Sequence, residues 1–287
     1  MNISRKKAEN IASVLSEGLP YIQKFYGKSI VVKYGGAAMS NSKLRKGFAK
    51  DIALMKLVGM NPIVIHGGGP QIKKELKKNG LKELFRSGLR VTDEPTMKIV
   101  NDVLINRVNK EIVSLINYFG AKAFSLTYKN SKILEGEKTP NIKKLDLGLV
   151  GSVSKVRNKE INKILSMNSV PVISPSALDK HGKCLNINAD QAAGAIAKSL
   201  KAEKLILLTN VKGIVNDNGS LLSKISEKRA RIILKKNIAK GGMQPKLEAA
   251  IFSVSNGVKS SHIIDGRLPH AVLLEVLTRE GVGTLIY

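Results

Sequence analysis

A chain of 287 residues, 43% hydrophobic and 24% charged, has room for one large domain or two lobes around a full-sized core, which excludes disorder as its main state. Its 48 basic and 22 acidic side chains give a formal charge of +26, yet the lysines are scattered in doublets such as Lys73-Lys74, Lys77-Lys78, Lys143-Lys144 and Lys235-Lys236. With 4% aromatics and no tryptophan, a stacking surface for single-stranded nucleic acid is poorly supplied.

No apolar run reaches the roughly 18 residues of a membrane span. The first 28 residues, with Arg5, Lys6, Lys7, Glu9 and Glu17, lack the compact apolar stretch of a signal peptide. The single cysteine, Cys184, excludes an intrachain disulfide, and a soluble protein of the reducing cytoplasm is the expectation. Ile11, Val14, Leu15, Leu19, Ile22 and Phe25 recur at spacings of three and four, predicting an amphipathic helical arm bent or broken near Pro20. Ser29 to Tyr34 then reads as a buried strand closed by Gly35-Gly36 and followed by a helix from about Asn41 to Leu57. The pattern repeats with the strand Pro62 to His66, the turn Gly67-Gly68-Gly69, and a helix from Pro70 to Asn79-Gly80. After Arg90-Val91-Thr92, one long helix from about Pro95 to Tyr118 carries Val100, Leu104, Val108, Ile112 and Leu115 on one stripe and stops at Gly120.

Short strands and hairpins are expected over 121–160, a strand at Val170 to Ser174, a small-residue helix at Asn188 to Leu200 and a strand at Leu205 to Thr209. Helices near 226–236 and 245–255, the strand His262 to Ile264 and a helix from His270 to Thr278 follow. Alternating strands and helices predict an α/β fold, a three-layer sandwich with a central, mainly parallel sheet flanked by helices.

Two strand–glycine–helix junctions within the first 70 residues offer backbone N–H groups at helix starts, a cradle suited to phosphate. Neither fits the Walker pattern, and Gly67-Gly68-Gly69-Pro70-Gln71-Ile72 lacks the last glycine of the dinucleotide fingerprint; each alone also reads as a tight connection. Lys33 ends a buried strand just before Gly35-Gly36, where a cation needs an anionic partner. Lys246, in Gly241-Gly242-Met243-Gln244-Pro245-Lys246, falls in the first turn of a helix, where the dipole disfavours a cation unless an anion is near. Either can instead be a lysine snorkelling to the surface. Asn186-Ile187-Asn188-Ala189-Asp190 enters the alanine-rich helix as N-caps by default. Functionally, Asp190 could hold both ammonium groups or face magnesium through water, with the asparagines hydrogen-bonding a substrate. Arg90, in Gly88-Leu89-Arg90-Val91-Thr92, can grip a carboxylate with two parallel bonds or form a surface ion pair.

Taken in order, Val32-Lys33-Tyr34-Gly35-Gly36, His66-Gly67-Gly68-Gly69-Pro70, Gly88-Leu89-Arg90-Val91-Thr92-Asp93, Asn186-Ile187-Asn188-Ala189-Asp190 and Gly241 to Lys246 closely resemble the amino acid kinase family, in the branch that phosphorylates N-acetyl-L-glutamate. The resemblance spans nearly the whole chain. It implies transfer of phosphate from ATP, with Mg2+ carried by phosphates and water, to the side-chain carboxylate, giving an acyl phosphate and ADP on the route to arginine. Carried over residue by residue, it makes Lys33, Lys246 and Asp190 catalytic and assigns Gly68, Gly69, Arg90 and Asn186 to acetylglutamate. Gly36, Thr209, Asn210, Val211, Lys212, Gly213, Ile238, Ala239 and Lys240 would bind the nucleotide. Two departures stand out: Asn210 where the family usually has aspartate, and Thr127-Tyr128-Lys129-Asn130-Ser131, a remodelled hairpin in place of a glycine- and aspartate-containing turn.

The resemblance also implies three parts: an oligomerisation arm over 1–28, a substrate-binding and dimerisation lobe over 29–185, and a nucleotide lobe with an arginine site over 186–287. The arm is similar to that of arginine-inhibited hexamers built as trimers of dimers, and His262, Glu275 and Gly281 match positions that bind L-arginine in them. Some relatives also dock a PII-type regulator. The rivals are a sibling kinase acting on an acetylated aminoadipate derivative or aspartate, and, from the +26 charge, a polyanion-binding scaffold.

Overall fold

In the computed structural model, which describes residues 4–287 except 40, 87, 141–145, 217, 237, 240 and 280, the arm forms two helices, α1 (Arg5–Glu17) and α2 (Leu19–Phe25). The break falls at Gly18, two residues ahead of Pro20. Proline has no N–H to give to the turn before it, so the old helix ends ahead of it and Pro20 sits in the first turn of the new one, where no donor is missed.

Strand β1 (Ser29–Tyr34) passes through a tight turn into α3 (Ser42–Leu57), whose start is capped by the Asn41 side chain accepting the Lys43 N–H at 2.7 Å. The same unit repeats as β2 (Asn61–His66) and α4 (Gly69–Lys78), and β3 (Phe85–Arg86) pairs with β4 (Leu89–Arg90) as a short antiparallel ribbon. The expected long helix is interrupted: α5 (Glu94–Asn101) and α6 (Lys110–Tyr118) are joined by a π-helical segment, Asp102–Asn109. Strands β5 (Ala123–Leu126), β6 (Leu134–Lys138) and β7 (Val150–Val156), helix α7 (Lys159–Ser166), and strands β8 (Val170–Ile173), β9 (Ser176–Leu178) and β10 (Cys184–Ile187) follow. The last part holds α8 (Ala189–Ser199), β11 (Lys204–Thr209), β12 (Lys224–Ile225), α9 (Glu227–Lys235), α10 (Met243–Ser255), β13 (Ser260–Asp265), α11 (Ala271–Leu277) and β14 (Gly283–Ile286).

Eight strands form one sheet in the order β12-β14-β13-β11-β1-β2-β8-β5. From β13 to β5 neighbours run parallel, and only β14 meets β13 antiparallel. Continuous apolar runs such as Ile30–Val32, Ile63–Ile65 and Leu205–Leu208 suit strands covered on both faces. Alternate side chains enter two cores: Val32, Val64, Val172 and Ile206 pack under α3, α5, α6 and α11, while Val31, Ile63, Leu205 and Leu207 pack under α7, α8, α9 and α10. The three-layer expectation therefore holds. Strands β6, β7, β9 and β10 close into a separate small barrel.

The segment Thr127–Ser131 is not a hairpin. Asn130 closes it as a turn, accepting the Thr127 N–H at 2.8 Å and donating to Ser125 O at 2.8 Å, and its flanking strands β5 and β6 belong to different sheets. The chain lays β2 on one side of β1 and later β11 and β13 on the other, which makes the carboxyl ends of β1 and β11 a topological switch point, the usual ligand position in open α/β sheets. Among the described residues no helix is long and apolar enough to cross a membrane.

Candidate active site

Three charged side chains converge at that switch point. Lys33 lies one residue from the end of β1, and Asp190 lies in the first turn of α8, where the Asn188 side chain accepts the Asp190 N–H at 2.8 Å and the helix dipole favours an anion. Lys246, in the first turn of α10, is unfavourably placed for its own helix and is offset by the same carboxylate. Lys33 Nζ stands 3.1 Å from Asp190 Oδ1, and Lys246 Nζ donates to Oδ2 at 2.8 Å. The Lys33 and Lys246 side chains are 8% and 12% exposed, so neither is a snorkelling surface group. Burial pulls the Lys33 pKa down from 10.5 to about 8; Asp190 opposes that pull and the Lys246 charge adds to it. For Asp190, burial favours the neutral acid, but the two ammonium groups outweigh it and hold the carboxyl below its ordinary value.

Glycine turns form the adjoining wall. A Cβ at Gly35 would stand 2.9 Å from Lys33 Nζ, so glycine leaves the space the ammonium occupies. Gly36 has φ +67°, and a Cβ there would come within 2.4 Å of Asn210 Oδ1. The two turns are tied together by the Gly67 N–H donating to Tyr34 O at 2.7 Å. Beneath them lies His66, fully buried, with its pKa pushed down to about 4 by burial. The neutral ring donates from Nδ1 to Gly67 O at 2.9 Å and accepts at Nε2 from Asn109 Nδ2 at 3.1 Å. Asn109, which also donates to Val172 O at 3.0 Å, closes the π segment; it was not singled out by sequence reasoning, and His66 stood there only as part of a motif, without a role.

At the other end of the cavity, Arg90 pairs through Nη1 with Glu83 Oε1 at 2.6 Å and lies over the Phe85 ring at 4.8 Å. It is 9% exposed, so the pair is not a surface one. Together these groups line a cavity of about 550 Å3, within the range of roughly 300–1,000 Å3 usual for small-molecule sites. Lys33, Gly36, Gly68, Gly69, Arg90, Asn186, Asp190, Thr209, Asn210, Val211 and Lys246 all line it. Lys212, Gly213, Ile238 and Ala239 do not; Gly213 packs instead against Thr284 and Leu221. Lys240 lies outside the described residues. Asp190 is the only carboxylate among the described lining residues, and both its oxygens face ammonium groups. The cavity therefore supplies no carboxylate free to ligate a metal ion.

His262, Glu275 and Gly281 meet elsewhere, at the end of α11. His262 Nδ1 donates to Glu275 Oε1 at 2.5 Å, the Val282 N–H donates to Oε2 at 2.7 Å, and Lys204 Nζ donates to His262 Nε2 at 3.0 Å. Burial lowers the His262 pKa, which keeps the ring neutral, and the hydrogen bond from His262 helps hold Glu275 below its ordinary value against burial. Gly281 (φ +64°) brings its backbone against the Glu275 carboxylate, where a Cβ would stand 3.0 Å from Oε2.

The model of the amino acid kinase family matches residues 28–265. An acetylglutamate kinase from Hydrogenovibrio crunogenus is 49% identical over 297 residues, covering 100% of this chain and 99% of its own. One from Thermoanaerobacter pseudethanolicus is 51% identical over 278 residues, covering 96% and 92%. Among solved structures, N-acetylglutamate synthase from Neisseria gonorrhoeae complexed with coenzyme A and N-acetyl-glutamate superposes with a TM-score of 0.87 at 25% identity, covering 96% of this chain and 63% of the synthase. Carbamate kinase from Giardia lamblia bound to AMP-PNP shares the fold, with a TM-score of 0.67 at 19% identity over 91% of this chain and 98% of that one.

Proposed function

The chain belongs to the amino acid kinase family, and from that membership we propose that it transfers the γ-phosphoryl group of ATP to the side-chain carboxylate of N-acetyl-L-glutamate, giving an acyl phosphate and ADP. The observation that carries the chemistry is the pair of ammonium groups, from opposite ends of the chain, held on the one carboxylate of Asp190. A substrate carboxylate is already an ionised nucleophile, so no general base is required. What remains is to align two anions and to neutralise charge spreading over the phosphoryl oxygens. Lys33 and Lys246 do the second, and Asp190 keeps both ammonium groups aimed at one point. Gly36 and Gly68 present backbone N–H groups to the phosphoryl oxygens, at the end of β1 and the start of α4. Arg90 takes a carboxylate of acetylglutamate with the guanidinium edge that Glu83 leaves open, and Gly69 and Asn186 complete that end. Thr209, Asn210 and Val211 form the nucleotide wall. Both Asp190 oxygens face ammonium groups, so a Mg2+ ion would have to be carried by the nucleotide's phosphates and water, supplying further charge neutralisation there.

Relatives of about 50% identity over essentially the full chain favour acetylglutamate over an acetylated aminoadipate derivative or aspartate. A coupled assay of ADP release, with hydroxylamine trapping the acyl phosphate, tests this across the three acids. Turnover with acetylglutamate is expected to exceed the others, and salt-sensitive RNA binding without any acyl phosphate would favour the scaffold reading.

The division into an arm (1–28), an acetylglutamate lobe (29–185) and a nucleotide lobe (186–287), in a cytoplasmic homohexamer built as a trimer of dimers, belongs to the same reading. So does feedback inhibition by L-arginine. Its support is the meeting of His262, Glu275 and Gly281 next to Lys204, whose ammonium lies 5.1 Å from the ring of Phe25 in α2. Deleting residues 1–25 is expected to convert hexamers to dimers and to abolish arginine sensitivity, as read by light scattering and inhibition curves. A PII-type partner has no support among the described residues.

A further inference from the structure

Arg90 and Asn186 are 96 positions apart in the sequence, yet a single buried residue touches both. Thr92, two residues beyond Arg90, has 0% exposure. Its N–H donates to Leu147 O at 2.9 Å and its carbonyl accepts the Leu149 N–H at 2.6 Å, while Leu149 O accepts the Asn186 N–H at 2.8 Å. Leu149 is thus shared between the backbone that follows Arg90 and the backbone that carries Asn186. Gly148 makes this approach possible: it has φ +71°, and a Cβ there would lie 2.2 Å from Thr92 O.

The side chains add a second link. The Thr92 hydroxyl donates to Arg90 O at 2.7 Å, and Asn186 Nδ2 donates to Thr92 Oγ1 at 3.0 Å. A hydroxyl has one proton. With that proton spent on the Arg90 carbonyl, Oγ1 can face Asn186 only as an acceptor, so the amide must turn Nδ2 toward it. The carbonyl Oδ1 and the second Nδ2 proton of Asn186 are then left for whatever fills the cavity that Asn186 lines.

We propose that Thr92 is a positioning residue for the acid substrate: its hydroxyl fixes which way the Asn186 amide faces and couples that amide to the strand presenting Arg90. The locked orientation offers an acceptor to a substrate N–H, such as that of an acylated amino group, and a donor to a carboxylate. This rests on the assignment of acetylglutamate to the Arg90 end of the cavity.

The test is steady-state kinetics on full-length Thr92→Val, which keeps the β-branched shape without the hydroxyl, and Thr92→Ser, which keeps the hydroxyl without the methyl. For Thr92→Val, KM for acetylglutamate is expected to rise about tenfold, the consequence of losing one buried hydrogen bond, with KM for ATP within about twofold of wild type. Thr92→Ser is expected to restore the acetylglutamate KM. In an Asn186→Ala background, Thr92→Val is expected to add little, because the two residues act on the substrate through one contact. The proposal is overturned by an unchanged acetylglutamate KM in Thr92→Val, by equal losses for both substrates, by a Thr92→Ser variant as impaired as Thr92→Val, or by losses that multiply with Asn186→Ala. A wild-type enzyme inactive on acetylglutamate overturns the functional reading and this inference with it, whereas an active wild type with an unaffected Thr92→Val overturns this inference alone.

Discussion

Replacing Asp190 by asparagine keeps the shape of the side chain and removes the charge on which both lysines depend. At 3.1 Å, and with an effective dielectric constant near 20, the Lys33–Asp190 attraction is about 5 kcal/mol before relaxation. Even halved by water and rearrangement, that exceeds the roughly 1.4 kcal/mol that moves a pKa by one. Lys33 already stands at about 8 with its partner present. Without Asp190, the burial and the neighbouring Lys246 charge act unopposed, and the Lys33 pKa drops below neutrality. The sign follows: the ammonium is the working form, so activity is lost as pH rises through the Lys33 pKa. In the wild type the alkaline limb of kcat/KM for ATP is expected near pH 8, and in Asp190→Asn at least one pH unit lower. Losing one stabilising charge and misaiming the other is expected to lower kcat at neutral pH by about 10²–10³-fold. The assay is ADP release with both substrates varied from about pH 6 to about pH 9.5, so that kcat and kcat/KM are separated. An Asp190→Asn enzyme with kcat within about fivefold of wild type, or with an unmoved alkaline limb, would refute the role given to this carboxylate.

Three further outcomes follow from the same geometry. Lys246→Ala is expected to lower kcat by about 10²–10³-fold with small changes in both KM values, since its charge acts on the transferring group; steady-state kinetics checks this, and a loss confined to KM assigns it to binding instead. Arg90→Lys is expected to raise KM for acetylglutamate by about 10–100-fold and leave KM for ATP in place, because one ammonium cannot meet Glu83 and a substrate carboxylate as a planar fork does. Gly148→Ala is expected to destabilise the protein by about 2 kcal/mol or more, from strain at positive φ and the clash with Thr92 O, seen as a lowered Tm by calorimetry.

The charged triad was legible because both lysines are out of place by themselves. A lysine at the end of a buried strand and a lysine in the first turn of a helix both demand an anion, and Asn188 ahead of Asp190 marks where one would be held. The alternation of elements gave the layers equally directly, since the apolar runs of β1, β2 and β11 suit only covered strands. Glu83 and Asn109 were not legible, because their partners lie elsewhere in the chain or depend on a turn, and nothing local distinguishes them from ordinary polar residues; Thr92 stood in the Gly88–Asp93 motif without a role of its own. Four nucleotide-site positions drawn from family resemblance, Lys212, Gly213, Ile238 and Ala239, lie off the cavity. The π segment did leave a signal. Val100, Leu104, Val108 and Ile112 are spaced by exactly four, which in a regular α-helix drifts by about 40° at each step. All four are nonetheless buried. A wider turn drifts the other way, and the mixture keeps the stripe straight.

That wider turn also sets how the chain tolerates changes in length. Adding one residue ahead of Asn109 in Asp102–Asn109, where the wider winding already takes up extra length, would rotate everything beyond it by about 100° relative to the sheet. Asn109 would swing away from His66, and the imidazole would lose the donor that now meets its Nε2. The turn bearing Gly67 would lose its underpinning although no cavity residue had been altered. Insertions in this helix therefore bear on function as directly as substitutions in the cavity.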